Sequence, residues 1–278
     1  MAAAHRLGAE IVVGSNRCHE LARLFTDEAY AERGGYAGSL ALEFRDPAGA
    51  CARIVDEARA LSFDAIVPTD DLTAVIAAQA QRALGLRGND PAAVEIARNK
   101  ALFRARLQAA GIPCPRWIVA SADEAPETIL RRVEAAGIDF PCVAKPLLLS
   151  ASRGVIRADD PEQLAFALAR IRAILRTRPE HADGIPDADR VLVESFVPGA
   201  EVALEGILRP RDDGTHGDAP PAELLTLALF DKPDPLDGPF FEETIYVTPS
   251  RLAPSQQQAI TASVEEAARA LGLRQGPV

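Results

Sequence analysis

Several features that would each fix a class of function are missing from this sequence. No apolar run approaches the ~20 residues a helix needs to cross a bilayer. The start, Met1-Ala-Ala-Ala-His5-Arg6, lacks the apolar stretch of a secretory signal. Positive charge is in deficit, with 30 Lys and Arg against 40 Asp and Glu for a net charge of −10. That argues against a polyanion partner such as nucleic acid, which wants a basic footprint. It leaves room for a nucleotide, because one phosphate tail needs only a few local cations. The four cysteines, Cys18, Cys51, Cys114 and Cys142, include no CxxC pair. A zinc site is therefore disfavoured, and buried free thiols in a reducing cytoplasm are expected. Internal repeats and low-complexity tails are lacking as well. What is present is 278 residues, 48% hydrophobic and 25% charged, enough for two packed domains.

The pattern along the chain alternates strand and helix. Glu10 to Gly14 predicts a short buried strand, Ala50 to Leu61 a helix, and Phe63 to Thr69 a second strand stopped by Pro68. Asp70 and Asp71 open a helix that Gly85 closes. Such alternation implies a parallel sheet with helices on its faces. A doubly wound domain normally opens with a strand, whereas Ala2 to Gly8 looks like the tail of a helix, so the first strand is expected to be missing, a genuinely short N-terminus being the alternative. Pro91 to Gly111 is helical, and Gly111-Ile-Pro-Cys-Pro115 breaks it. Then come a strand at Arg116 to Ala120, a helix at Asp123 to Ala136, strands at Phe140 to Lys145 and Arg153 to Arg157, and a helix at Asp160 to Arg176 capped by Asp159 or Asp160. The runs Arg190 to Val197, Glu201 to Leu208, Leu224 to Phe230 and Thr244 to Val247 have little helix between them and suggest an antiparallel sheet. Loops are expected at 209–221 and 232–239, and a last helix from Pro254 to Leu271.

Four features carry candidate chemistry, each beside a bland reading. Lys100, in Arg98-Asn99-Lys100, is alone no more than a solvated helical lysine. Lys145 ends the apolar strand Pro141-Cys-Val-Ala-Lys145 and precedes the loop Ser150-Ala-Ser152-Arg-Gly154. Small residues let backbone N–H groups approach an anion, and the lysine supplies a point charge; a hairpin turn with an edge lysine is the alternative. In Val191-Leu-Val-Glu194-Ser-Phe196-Val197-Pro-Gly-Ala-Glu201, an apolar strand runs into Glu-x-Phe-Val, which could present backbone groups and apolar surface to a planar base. Glu201, beyond the Pro-Gly turn, could accept hydrogen bonds from a ribose diol; solvated rim carboxylates are the alternative. Asp231-Lys232 with Phe240-Phe241-Glu242-Glu243 is the fourth, weak by itself.

Taken in order, these features resemble the ATP-grasp superfamily over nearly the whole chain. The stretch from Phe230-Asp-Lys232 to Thr-Pro249-Ser250 looks like its carboxylate–amine ligase branch, that of L-amino-acid ligases and carnosine-synthase-like enzymes. The resemblance implies an α/β fold: an incomplete N-terminal doubly wound, Rossmann-like domain, then an ATP-grasp domain of two α+β subdomains. The expected divisions are 1–90 for the first domain, 91–115 for a connecting helix and linker, 116–190 for the subdomain with the phosphate loop, and 191–278 for the subdomain with the nucleotide hinge.

By the same resemblance ATP is the nucleotide. Lys100 matches a lysine on the α-phosphate and Lys145 one near the α- and β-phosphates. Ser150, Ser152 and Gly154 match the loop closing over the γ-phosphate, although the loop has a single glycine. Glu194 would take the adenine amine, the Phe196–Val197 backbone the ring edge, Glu201 the ribose, and Lys232 the terminal phosphates. The implied reaction joins a carboxylate to an amine through an acyl phosphate, on amino-acid-like substrates, in the cytoplasm, with neither membrane nor nucleic acid as partner. Oligomeric state is left open, a homodimer being common among relatives. Magnesium is implied for the complete protein, but its acidic ligands would follow Val278, so no metal ligand and no catalytic residue is named. The chain is expected to be a fragment, inactive alone. Two other readings stay open: an ATP-binding module without turnover, and a carboxylase-type enzyme similar to biotin carboxylase.

Overall fold

The structure, a computed structural model, describes residues 4, 6–17, 37–177, 186–210, 222–241 and 244–278. They fall into two units, Met1–Arg87 and Gly88–Val278. Cys18, Glu242, Glu243, most of the loop expected at 209–221, and residues 2, 3 and 5 of the expected helix tail lie outside the described residues.

In the first unit, strand β1 (Val12–Ser15) pairs in parallel with β2 (Gly38–Ala41). Helices α1 (Pro47–Leu61) and α2 (Asp71–Leu84) pack against each other. Leu40, Leu42, Ala50, Ile54, Ile76 and Ala80 form the core. Asp70 caps α2 by accepting from Thr73 N at 2.8 Å, and Gly85 ends it at φ 67°, as the sequence predicts. The strand expected over Phe63 to Thr69 is not formed. Phe63 and Ile66 do pack on the core, but the Ile66 carbonyl is satisfied by the Gln81 side chain at 2.6 Å and not by a ladder. Only Phe63 and Ile66 of this segment are half-buried, and the rest of it, Val67 included, is exposed. Strand β2, whose sequence Gly-Ser-Leu-Ala has little strand character, forms instead.

The second unit opens with two helices where one was expected. Helices α3 (Pro91–Arg98) and α4 (Lys100–Ala109) are split at Asn99, which ends the first and caps the second. Its side chain accepts from Ala101 N and Leu102 N and donates to Asp187 Oδ2 at 3.0 Å. Next come β3 (Trp117–Ser121), α5 (Pro126–Ala135), β4 (Cys142–Pro146), β5 (Ile156–Ala158), α6 (Pro161–Arg176) and β6 (Arg190–Ser195). The four strands make one antiparallel sheet in the order β3-β6-β4-β5. Cys142, Ala144, Val191 and Val193 face α5 and α6, where Ile129, Leu164, Ala167 and Ile171 complete a dry core.

Strands β7 (Val202–Pro210) and β8 (Ala222–Asp231), helix α7 (Pro254–Leu271) and the short β9 (Gly276–Pro277) follow. They build a second sheet, β8-β7-β9, whose Leu208 and Leu224 pack with Ala268 of α7. Two expectations are corrected here. The strand at 190–197 belongs to the first sheet, because its register with β3 and β4 is what buries Val191 and Val193. The run from Thr244 to Val247 is not a strand, and only Val247 makes a bridge, to Asp231.

Candidate functional site

One face of the first sheet packs on the helices, and the other carries Lys145 and Glu194. Lys145 on β4 stands opposite Leu192 on β6. Side chains alternate along a strand, so Leu192 and Glu194 share a face, and Lys145 and Glu194 are diagonal neighbours on it. Lys145 donates to Glu194 Oε1. From α4, Arg104 reaches the same carboxylate with a fork, Nε to Oε2 at 2.9 Å and Nη2 to Oε1 at 3.3 Å. Glu194 is nearly inaccessible, with its side chain 8% exposed.

Burial alone would push the Glu194 carboxyl up. The hydrogen bond from Arg104 and the charges of Lys145 and Arg104 outweigh it and hold the group below its ordinary value. The Lys145 ammonium is also held below its usual value, first by burial and further by the Arg104 charge, against the pull of Glu194. One carboxylate shared by two cations leaves an excess positive charge in a desolvated place, which is the condition for attracting an anion.

Lys100, the first residue of α4, donates to the carbonyls of Leu147 at 3.1 Å and Leu149 at 2.6 Å. It therefore holds the chain between Lys145 and the small-residue loop. In that loop Ala151, Ser152 and Gly154 have φ of 54°, 52° and 76°. Val155 N donates to Ser152 O at 3.1 Å and Arg153 Nε to Ser150 O at 3.0 Å. A Cβ on Gly154 would meet Pro146 Cγ at 3.0 Å, so a side chain there would be both strained at this φ and tightly packed.

Residues 196–201 lead from β6 to β7. The N–H of Phe196 donates to Pro141 O at 3.2 Å, while Val197 is 68% exposed. The Phe196 ring lies 4.5 Å beneath the Arg157 guanidinium and 6.5 Å from the Phe241 ring. Arg157 also holds the segment before Phe241: its N–H donates to Pro239 O and its Nη1 to Asp237 O, at 2.9 and 2.7 Å. Beyond the hinge, Lys232, just after β8, donates to Glu201 Oε1 at 2.5 Å and lies 5.3 Å from the Tyr246 ring. Asp231 accepts from Ser250 Oγ at 2.5 Å and Arg251 N at 3.1 Å, contacts that lower its carboxyl below the ordinary value.

The expected site residues therefore fall into linked groups: Lys145 with Glu194, Lys100 with the backbone that leads to Ser150, and Glu201 with Lys232. Arg104 was not singled out by the sequence. The signal was there, since it lies one helical turn after Lys100 and so on the same helix face. Among the described residues no group of three or more His, Cys, Asp or Glu side chains could hold a metal ion. Among the same residues no helix is long and apolar enough to cross a membrane.

A family model described as the ATP-grasp domain matches residues 138–278, which hold the Lys145–Glu194 pair, the loop and the hinge. The chain belongs to the ATP-grasp family. A model of the ATP-grasp N-terminal domain matches residues 1–88. Alanine–anticapsin ligase of Bacillus amyloliquefaciens is 28% identical over 238 residues, which are 79% of this chain and 45% of that protein. D-alanine–D-alanine ligase of Aromatoleum aromaticum is 28% identical over 166 residues, 60% of this chain and 45% of that one. A crystal structure of L-amino acid ligase from Bacillus licheniformis superposes with a TM-score of 0.71 at 24% identity, over 99% of this chain and 57% of that one. That likeness shows the ATP-grasp ligase fold. The chain spans less than half the length of the curated relatives it matches.

Proposed function

We propose that the chain is the nucleotide-holding part of an ATP-dependent carboxylate–amine ligase. The observation that carries the reading is the use of lysine. The chain has three lysines, Lys100, Lys145 and Lys232, against 27 arginines. Each of the three sits in one of the groups described above, on Glu194, on the Leu147 and Leu149 carbonyls, or on Glu201. A compact ammonium on a flexible stem can leave such an acceptor for a phosphate oxygen at small steric cost, which the planar guanidinium does less readily.

In this reading Lys145 and Lys100 meet the inner phosphates and Lys232 the outer ones. Ser150, Ser152 and Gly154 supply the loop over the γ-phosphate. Glu194 and the Phe196–Val197 backbone meet the adenine, and Glu201 meets the ribose. The Phe196 N–H is engaged by Pro141, so Val197 is the better placed of the two to offer its N–H to a ring nitrogen. The reaction runs in two steps. A substrate carboxylate oxygen attacks the γ-phosphorus, the bond to the β-phosphate oxygen breaks, and ADP leaves. The amine then attacks the acyl carbon, loses a proton, and inorganic phosphate departs with its bonding pair. The chain's own contribution is positioning and charge neutralisation. No step is assigned to magnesium.

Calorimetry of ATP with the folded chain tests the reading. Lys145→Ala is expected to weaken binding at least tenfold, about 1.4 kcal/mol. A folded chain that binds no ATP, or binds it equally well without Lys145, would overturn the nucleotide reading.

A further inference from the structure

The Glu194 carboxylate holds Lys145, the residue that must turn to phosphate if the site works as proposed. A lysine cannot leave a buried carboxylate unless another cation stays behind, because a buried charge stripped of its partner is strongly destabilised. Arg104 is that cation. It grips both oxygens of Glu194, through Nε at 2.9 Å and Nη2 at 3.3 Å. Its side chain is only 20% exposed, and its planar fork matches the carboxylate. Arg104 arrives from α4, which starts with Lys100, so one helix places both residues.

We infer that Arg104 is a positioning residue which retains the Glu194 carboxylate and so releases Lys145 to the phosphates of a bound nucleotide. It touches neither phosphate nor base. Its effect passes through Glu194, and it rests on the site being a nucleotide site. Two consequences separate this role from a general structural one. Without Arg104, Glu194 keeps Lys145 for itself, so ligands with phosphates suffer and a ligand without them does not. If Glu194 is made neutral, Lys145 is no longer retained and the need for Arg104 disappears.

The experiment compares ADP and adenosine binding, by calorimetry and ligand-observed NMR, in the parent chain, Arg104→Gln, Glu194→Gln and the double variant. Glutamine at 194 keeps an acceptor oxygen for the adenine amine. Arg104→Gln is expected to weaken ADP at least about tenfold while adenosine changes less than about twofold. In the Glu194→Gln background the same change is expected to cost ADP less than about twofold. Should Arg104→Gln fail to fold, Arg104→Lys, which keeps a cation on Glu194 without the fork, is expected to lower ADP affinity less than about threefold, and a tenfold loss of ADP there would overturn the inference. Equal losses for both ligands or an unchanged ADP affinity in Arg104→Gln, or no suppression by Glu194→Gln, would overturn the inference and leave the nucleotide reading standing. A folded parent chain that binds neither ligand overturns both.

Discussion

Lysine is scarce in this chain and arginine is not, and in the proposed reading the difference marks which cations move. Arg104 and Lys145 share Glu194, but only the lysine has the compact head and flexible stem suited to changing partners. The shared carboxylate also couples the cluster to pH. The Glu194 carboxyl is held below its ordinary value of 4.5 in the folded chain. Its ionised form is therefore favoured by folding, so this stability is complete above about pH 5 and is lost as pH falls through the lower folded value. Glu194→Gln has no such proton to bind. It is expected to be less stable than the parent at neutral pH, by roughly 3 kcal/mol, because two cations are left without their anion. Between about pH 5 and about pH 3 it is expected to lose less further stability than the parent does. Urea unfolding across that range decides the matter, and parallel pH profiles for the two proteins would show that Glu194 is not held by its cations. The pairing of Lys145 with Glu194 could not be seen in the sequence, since 49 residues separate them and only the β4–β6 register makes them neighbours. What could be seen was that both ended apolar strands.

Among the elements, the break between α3 and α4 does most to place the site. Asn99 is 2% exposed, and its side-chain oxygen caps α4 while its amide holds Asp187. The cap fixes where α4 begins, and hence where Lys100 and, one turn on, Arg104 point. Asn99→Ala removes the cap and leaves the Asp187 carboxylate without this donor, at an expected cost of about 1–2 kcal/mol in urea unfolding. Because both cations ride on α4, it is also expected to weaken ATP binding, although Asn99 itself is assigned no contact with nucleotide. A variant that is destabilised yet binds ATP as the parent does would separate the cap from the site. Helices with strong end signals were legible: Asp70 and Gly85 bound α2, and Asp160 with Pro161 opens α6. The Asn99 break was missed because apolar and helix-forming residues continue on both sides of it. The strand expected at 63–69 was over-read for the converse reason. Its pattern is that of a buried segment, but strand formation needs a partner backbone, and the Ile66 carbonyl found Gln81 instead. Membership of β6 in the first sheet was likewise a matter of long-range register, which local pattern does not carry.

At the scale of the whole molecule, residues near Asn89 and residues near Gln275 of the second unit are tied together. Its first residues carry α3 and α4, its last carry α7 and β9, and α7 packs against both of those helices as well as β8. Asn89 ties the ends directly: its Oδ1 accepts from Arg274 N at 2.7 Å and Gln275 N at 3.1 Å, and its Nδ2 donates to Gln275 O at 2.8 Å. Next to this clasp, Val278 exchanges two backbone hydrogen bonds with Gly206, at 2.9 and 3.0 Å, and extends the second sheet. A clasp between residues 186 positions apart acts on the unit as a whole, since its loss frees both the helix pair that carries Lys100 and Arg104 and the edge of the sheet beyond the hinge. Asn89→Ala is expected to lower the unfolding free energy of this unit by about 2 kcal/mol, for three net hydrogen bonds of modest worth. Cys142 offers a local reporter. It is fully buried in β4, and burial together with the Asp159 charge pushes its thiol up to about 12, so it is inert to alkylation until the first sheet opens. In rising urea, alkylation of Cys142 is expected at lower concentration in Asn89→Ala than in the parent. If Cys142 becomes reactive at the same urea concentration in both, the clasp does not help hold the sheet that carries Lys145 and Glu194.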